Sequence, residues 1–217
     1  MKRKQLLICL ILAELLTAAF GAVGLFMCFR DSGAKILIYY TTDSNVLGVA
    51  ASLLCAGLAL RALISGGDIP RPALMFRLAA VCCLAVTFLV TLTVLAPSAG
   101  PNGYRSMLLT GSMLYVHLLC PLSSVAGFVL FGNRPALPLK SAFAALIPTA
   151  LYAAVAIPMN ILRLWRGPYF FLLVHDQPVH VSLLWAVGIF AGAYLIALLL
   201  LLPGRLAQTL RKEKHSI

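Results

Sequence analysis

The stretch that decides the fold is residues 182–202, SLLWAVGIFAGAYLIALLLLL, which carries no charge from end to end. About 20 such residues wound as an α-helix cross the ~30 Å hydrocarbon layer of a bilayer. Five further blocks of the same kind precede it, at roughly 5–28, 36–64, 74–95, 107–131 and 141–160. A hydrophobic fraction of 62%, only 11% charged residues and a mean hydropathy of +0.99 exclude an ordinary soluble domain, which carries roughly twice that charge. With 217 residues in all, little remains for anything else. The expectation is an all-α polytopic membrane protein, one transmembrane domain over residues 1–217 with six helices.

Turn chemistry separates these blocks. Ser65-Gly66-Gly67-Asp68-Ile69-Pro70-Arg71-Pro72 divides the second from the third, and Pro97-Ser98-Ala99-Gly100-Pro101-Asn102-Gly103 the third from the fourth. Gly132-Asn133-Arg134-Pro135 through Pro138 divides the fourth from the fifth. The longest connection, roughly 161–181, interleaves Arg163 and Arg166 with Trp165, Tyr169, Phe170 and Phe171. That is the composition of an interfacial segment, with rings at headgroup level and cations in water. No internal repeat is present, so the inverted-repeat signature of many transporters is missing.

The net charge of +11 is distributed for a membrane rather than for nucleic acid. With the N-terminus inside, 12 of the 17 Lys/Arg fall on the cytoplasmic side: Lys2, Arg3, Lys4, Arg61, Arg71, Arg77, Arg134, Lys140, Arg205, Arg211, Lys212 and Lys214. Arg30, Lys35, Arg105, Arg163 and Arg166 fall on the other. The positive-inside rule then puts both termini in the cytoplasm of a multi-pass cell-membrane protein, its basic tails at anionic headgroups. The first block has a basic start and the small residues of a signal peptide near its end. It runs on through Leu25-Phe26-Met27 and contains Glu14, so a retained helix is expected. The six cysteines (9, 28, 55, 82, 83 and 120) include no CxxC pair and read as small packing residues. No metal or cofactor is implied, and no GxSxG, HExxH or P-loop pattern occurs.

Inside this apolar chain, Tyr39-Tyr40-Thr41-Thr42-Asp43-Ser44-Asn45 is an exception. Polar groups at membrane depth are costly and tend to mark function. At helical spacing Thr41, Ser44, Asn45, Gly48, Ser52 and Cys55 share one face, which should meet other helices. Thr42 lies about 100° away and Asp43 nearer the interface. The fourth block carries a matching stripe, Thr110, His117, Cys120, Pro121 and Ser124. Pro121 removes a backbone hydrogen bond and is expected to kink that helix near His117. Counting 1.5 Å per residue from the outer boundary, Thr41 is roughly 9 Å deep, Asn45 roughly 15 Å and His117 roughly 16 Å. Glu14, counted from the inner side, comes to roughly the same midplane level. Two chemistries follow. A Glu14–His117 pair is either a proton relay, or an orienting carboxylate behind a general base that activates Thr41 as nucleophile. His175, Asp176 and His180 read as an exposed polar loop that offers too few ligands for a metal.

The polar run resembles the aromatic-Thr-x-x-Ser-Asn opening of the second helix in a bacterial family of uncharacterised six-helix integral membrane proteins. Tyr115-Val116-His117-Leu118-Leu119-Cys120-Pro121 resembles that family's His-x-x-x-Pro in its fourth helix. Trp165-Arg166-Gly167-Pro168-Tyr169-Phe170-Phe171 is similar to its Pro-Tyr-aromatic segment before the last helix. The family is distantly similar to the animal androgen-induced and androgen-dependent membrane proteins, threonine/histidine hydrolases of fatty acid esters of hydroxy fatty acids. The resemblance implies a bacterial plasma-membrane protein with a threonine nucleophile and His117 as its base. The animal Thr-x-x-Asn spacing falls on Thr42, whereas the helical face favours Thr41. The expected site is therefore Thr41 or Thr42, His117, Asn45 and Glu14, acting on a lipid-like ester that enters from the bilayer. The competing expectation is a non-enzymatic protein, such as a small transporter or proton-coupled carrier using Glu14 and His117.

Overall fold

A computed structural model describes residues 3–132 and 136–215, the last five of these by backbone alone. Lys2, Asn133, Arg134 and Pro135, and the side chains of Arg211, Lys212 and Lys214, lie outside the described residues. The chain is 84% helical, without strands among those residues. Seven helices account for it. They are α1 Arg3–Ser32, extended by a 3₁₀ turn Gly33–Ile38; α2 Tyr40–Ser65; α3 Arg71–Ser98; a short α4 Gly103–Leu108; α5 Gly111–Gly132; α6 Ser141–Ile161; and α7 Val179–His215. All but α4 are long and apolar enough to cross a membrane.

The sequence explains where these helices stop and bend. Gly66 takes the left-handed conformation (φ 80°) at the end of α2 and its N–H returns to the Ala62 carbonyl, the usual glycine stop. Pro70 and Pro72 bracket the start of α3 at Arg71, where a missing N–H costs nothing. Inside α3 and α5 a wider turn precedes a proline. Thr91–Leu95 is a π-turn ahead of Pro97, and Leu114–Leu119 is a π-turn ahead of Pro121. Each spares the helix a hydrogen bond that the proline cannot make.

α3 is the centre of the bundle, packed by α2, α5, α6 and α7. Leu78, Ala80, Val81, Cys82 and Leu84 have no exposure to speak of. Its run of alanines and cysteines lets neighbours come close, which is what holds helices together in lipid. By contrast α7 keeps broad apolar faces outward, Leu183, Leu184 and Val187 among them. In water such a face would be a liability; against acyl chains it costs nothing. α1 packs along α2 and α5, and Gly24 sits so tightly on Tyr115 and Val116 that a Cβ there would clash at 2.7–2.8 Å.

Two features depart from the sequence expectation. The fourth apolar block is broken at Leu109–Thr110, where Thr110 is extended (φ −124°, ψ 133°) and Gly111 has φ 53°. Thr110 is therefore exposed and leaves the polar stripe. The third helix starts at Arg71, which carries Arg77 nearly two turns into the bundle, where it is fully buried. Arg77 is thus removed from the set of headgroup cations counted above. The rest of that end is closed by Arg3, whose guanidinium donates to the Gly66 and Gly67 carbonyls and pairs with Asp68.

Candidate active site at the start of α2

Thr41 is the second residue of α2, held there by Tyr39, whose carbonyl accepts from the Thr42 and Asp43 amides. First-turn N–H groups have no partner within a helix. That of Thr41 donates to the Tyr169 hydroxyl at 3.3 Å. The Thr41 side chain, Oγ1, lies 3.2 Å from His117 Nε2 and 3.4 Å from the same Tyr169 hydroxyl.

His117 stands on the π-turn of α5 and is buried. Its Nδ1 is 2.8 Å from the Met107 carbonyl, which belongs to the last turn of α4 and so has no helical partner. A carbonyl only accepts, so Nδ1 carries the proton and Nε2 of the neutral ring presents its lone pair. The Thr41 hydroxyl therefore donates to Nε2. This is the hydrogen-bond direction a general base needs in order to take a hydroxyl proton.

Asn45 braces the pair without touching either reacting atom. Its Nδ2 donates to the Thr41 carbonyl at 2.8 Å and to the Val116 carbonyl at 3.0 Å, tying the first turn of α2 to the π-turn. Its Oδ1 is buried without a partner among the described residues. Ser44 adds a bond to Thr87 on α3 at 2.8 Å. Thr42 is buried and lies away from the cavity described below, while Asp43 is exposed.

Glu14 is not part of this group. The expected Glu14–His117 pair is replaced by a buried ion pair in which Arg77 Nε lies 2.8 Å from Glu14 Oε2. Arg77 Nη1 donates to Ser124 Oγ at 2.8 Å. The cause is register: Gly21 of α1 packs at Asn45 and Cys120, and Glu14 lies seven residues earlier, about 10 Å further along the helix. Ser124 is likewise seven residues beyond His117 on α5. The midplane level assigned to Glu14 is thus one cluster too high.

Thr41 opens on a cavity of about 450 Å³ between α2, α3, α6, α7 and the 161–178 connection. Its walls are mostly apolar, with Val90, Ile157, Trp185 and Phe190 among them; Thr41 and Tyr169 form a polar end. The volume is that of a site for a small ligand or a single flexible chain. His175 lines the cavity too, its Nε2–H donating to the Ile161 carbonyl at 3.0 Å, and Asp176 pairs with Arg166 at 2.9 Å. No group of three or more His, Cys, Asp or Glu among the described residues is placed to hold a metal.

Tyr169, the Met107 carbonyl and Arg77 were not assigned to a site by sequence. Tyr169 had a signal, a tyrosine fixed behind Gly167-Pro168 in an arginine-flanked aromatic run. No family model, curated protein or solved structure matches this chain.

Proposed function

We propose that this protein is a membrane-embedded hydrolase of lipid-like esters, with Thr41 as nucleophile and His117 as general base. The observation that carries this reading is the 3.2 Å Thr41–His117 contact at the polar end of an apolar cavity. A threonine hydroxyl is inert without a base to receive its proton. Here the base is fixed in the accepting tautomer by a backbone carbonyl, which takes the place of the carboxylate in a Ser-His-Asp triad. In the first half-reaction Oγ1 bonds to the ester carbonyl carbon, and its proton passes to His117 Nε2. The imidazolium returns that proton to the departing alkoxide as the C–O bond breaks. Water, deprotonated by His117, then releases the acid and restores Thr41.

The same reading places the protein in a bacterial plasma membrane with both termini cytoplasmic. With buried Arg77 set aside, 11 of the remaining 16 Lys/Arg still fall on the N-terminal side. Thr41, Met107 and Tyr169 all belong to the opposite end of the bundle, so the site opens in the outer half of the bilayer. A proton-coupled carrier draws no support from a Glu14 that is engaged by Arg77.

The test is labelling of the purified protein with an alkyl fluorophosphonate, which loses fluoride when a nucleophile attacks phosphorus. Labelling is expected for the native chain and lost in both Thr41→Ala and His117→Ala. Labelling that survives both substitutions, or that never occurs, rules out this assignment.

A further inference from the structure

A general base activates the nucleophile, but it does nothing for the negative charge that builds on the carbonyl oxygen. In acyl transfer that charge is the larger problem, and fixed donors aimed at it supply much of the rate. Cavity walls such as Val90, Ile157 and Phe190 offer no donor to that oxygen. Of the hydroxyls in the cavity lining, those of Tyr40 and Thr149 bond each other, that of Tyr152 donates to the Ile38 carbonyl and that of Thr87 is bonded to Ser44. The one brought within 3.4 Å of Thr41 Oγ1 is that of Tyr169.

We infer that the Tyr169 hydroxyl is the oxyanion donor of this site, a catalytic residue that acts directly on the substrate carbonyl oxygen. The inference rests on the hydrolase reading above. Tyr169 enters the site from the connection between α6 and α7, after the Gly167-Pro168 turn, and its ring stacks on Phe171 at 5.1 Å and meets Tyr39 edge-on at 6.1 Å. Two rings therefore set its direction. Its oxygen accepts from the Thr41 amide at 3.3 Å, so its own proton is left to donate. In the resting site the nearest acceptor is Thr41 Oγ1, 3.4 Å away.

That distance is long for an O–H···O bond, whose usual range ends near 3.0 Å. The mismatch suits a different acceptor. When Oγ1 bonds to the carbonyl carbon, the oxyanion forms one bond beyond that carbon, next to Oγ1. A donor poised beside Oγ1 but not fully bonded to it can come within the 2.7–3.1 Å an oxyanion donor needs. The chain amide → Tyr169 hydroxyl → oxyanion is a relay in which each bond polarises the next. It begins at the N-terminus of α2, the positive end of that helix. Burial pushes the Tyr169 phenol above its ordinary pKa, so it keeps its proton at neutral pH.

Bonds and charges balance. As Oγ1 attacks, the carbonyl π-pair moves to oxygen, Tyr169 donates a hydrogen bond without transferring its proton, and the Oγ1 proton goes to His117. Collapse of the intermediate returns the electron pair and expels the alkoxide, which His117 protonates. Tyr169 is unchanged at the end.

The experiment measures turnover of p-nitrophenyl decanoate by the purified full chain, native and with Tyr169→Phe, Thr41→Ala and His117→Ala. Phenylalanine keeps both ring contacts and removes only the hydroxyl. Tyr169→Phe should lower kcat about 10²–10³-fold, as loss of one oxyanion donor does, with KM little changed and the melting transition kept. Fluorophosphonate labelling should slow in parallel, because the phosphoryl oxygen occupies the oxyanion position. Native kcat in Tyr169→Phe, with Thr41→Ala and His117→Ala inactive, overturns the role of Tyr169 and leaves the hydrolase standing. Activity that survives Thr41→Ala, or a native chain that neither turns over nor labels, overturns both. Should Tyr169→Phe not fold, 3-fluorotyrosine at position 169 keeps size and donor but is more acidic. A changed kcat at constant KM then supports the role, and an unchanged kcat overturns it.

Discussion

Two polar clusters sit seven residues apart along α5, and they differ in one respect. Around Ser124 the groups are closed on one another: Glu14, Arg77 and Ser124 are all buried, and the guanidinium meets both the carboxylate and the hydroxyl. Around His117 the groups leave one valence open. Thr41 is only half-buried, and it lines a cavity with mostly apolar walls. Polar groups in a bilayer are costly, so both clusters need an explanation. The closed one explains itself as a brace between α1, α3 and α5. The open one has a nucleophile, a base and space for a ligand, and a brace needs none of that space.

The comparison can be broken most sharply at the closed end. Arg77→Met leaves Glu14 buried without its cation and should cost about 3–5 kcal/mol, read as a lower melting temperature in detergent. Adding Glu14→Leu should recover most of that loss, because an apolar pair of similar volume is often as stable as a buried ion pair. A double variant as unstable as the single one would mean that the cluster is more than a brace. Next in size is Asn45→Ala, which removes two hydrogen bonds that join α2 to the π-turn. It should cost about 1–3 kcal/mol and lower hydrolysis by loosening Thr41 against His117. Ser44→Ala removes the bond to Thr87 and should cost about 1 kcal/mol, with hydrolysis nearly unaffected. The exposed Arg166–Asp176 pair comes last: Asp176→Asn should change stability by less than about 1 kcal/mol.

What the sequence could show follows from how each feature is encoded. The six apolar blocks are local, and period and length alone are enough to find them. Thr41 and His117 were reachable because helical spacing fixes which residues share a face, and rise per residue fixes depth. The same depth count misplaced Glu14, because it measured inward over a ~30 Å span, whereas α1 with its 3₁₀ extension runs 36 residues from Arg3 to Ile38 and its register is set by Gly21 and Gly24 packing on α2 and α5. Arg77 reads as a flanking cation because it lies near the start of the third block, and its partner Glu14 stands on a different helix, 63 residues away in sequence. The Met107 carbonyl was out of reach, since backbone atoms carry no sequence signature and the break at Leu109–Thr110 falls inside a stretch that reads as one apolar block. Tyr169 lies 128 residues from Thr41 in sequence. Nothing in its own stretch, beyond a stiff turn ahead of it, says which helix it will meet.

The central claim is that the open cluster carries a nucleophile, and its most direct test is the address of a covalent adduct. The native chain is reacted with an alkyl fluorophosphonate in lipid bilayers, digested, and mapped by tandem mass spectrometry. The account predicts a single phosphonylated residue, Thr41, absent when His117 is replaced by alanine. An adduct on Thr42, Ser44 or Tyr169, or one on Thr41 that forms equally well without His117, would contradict it.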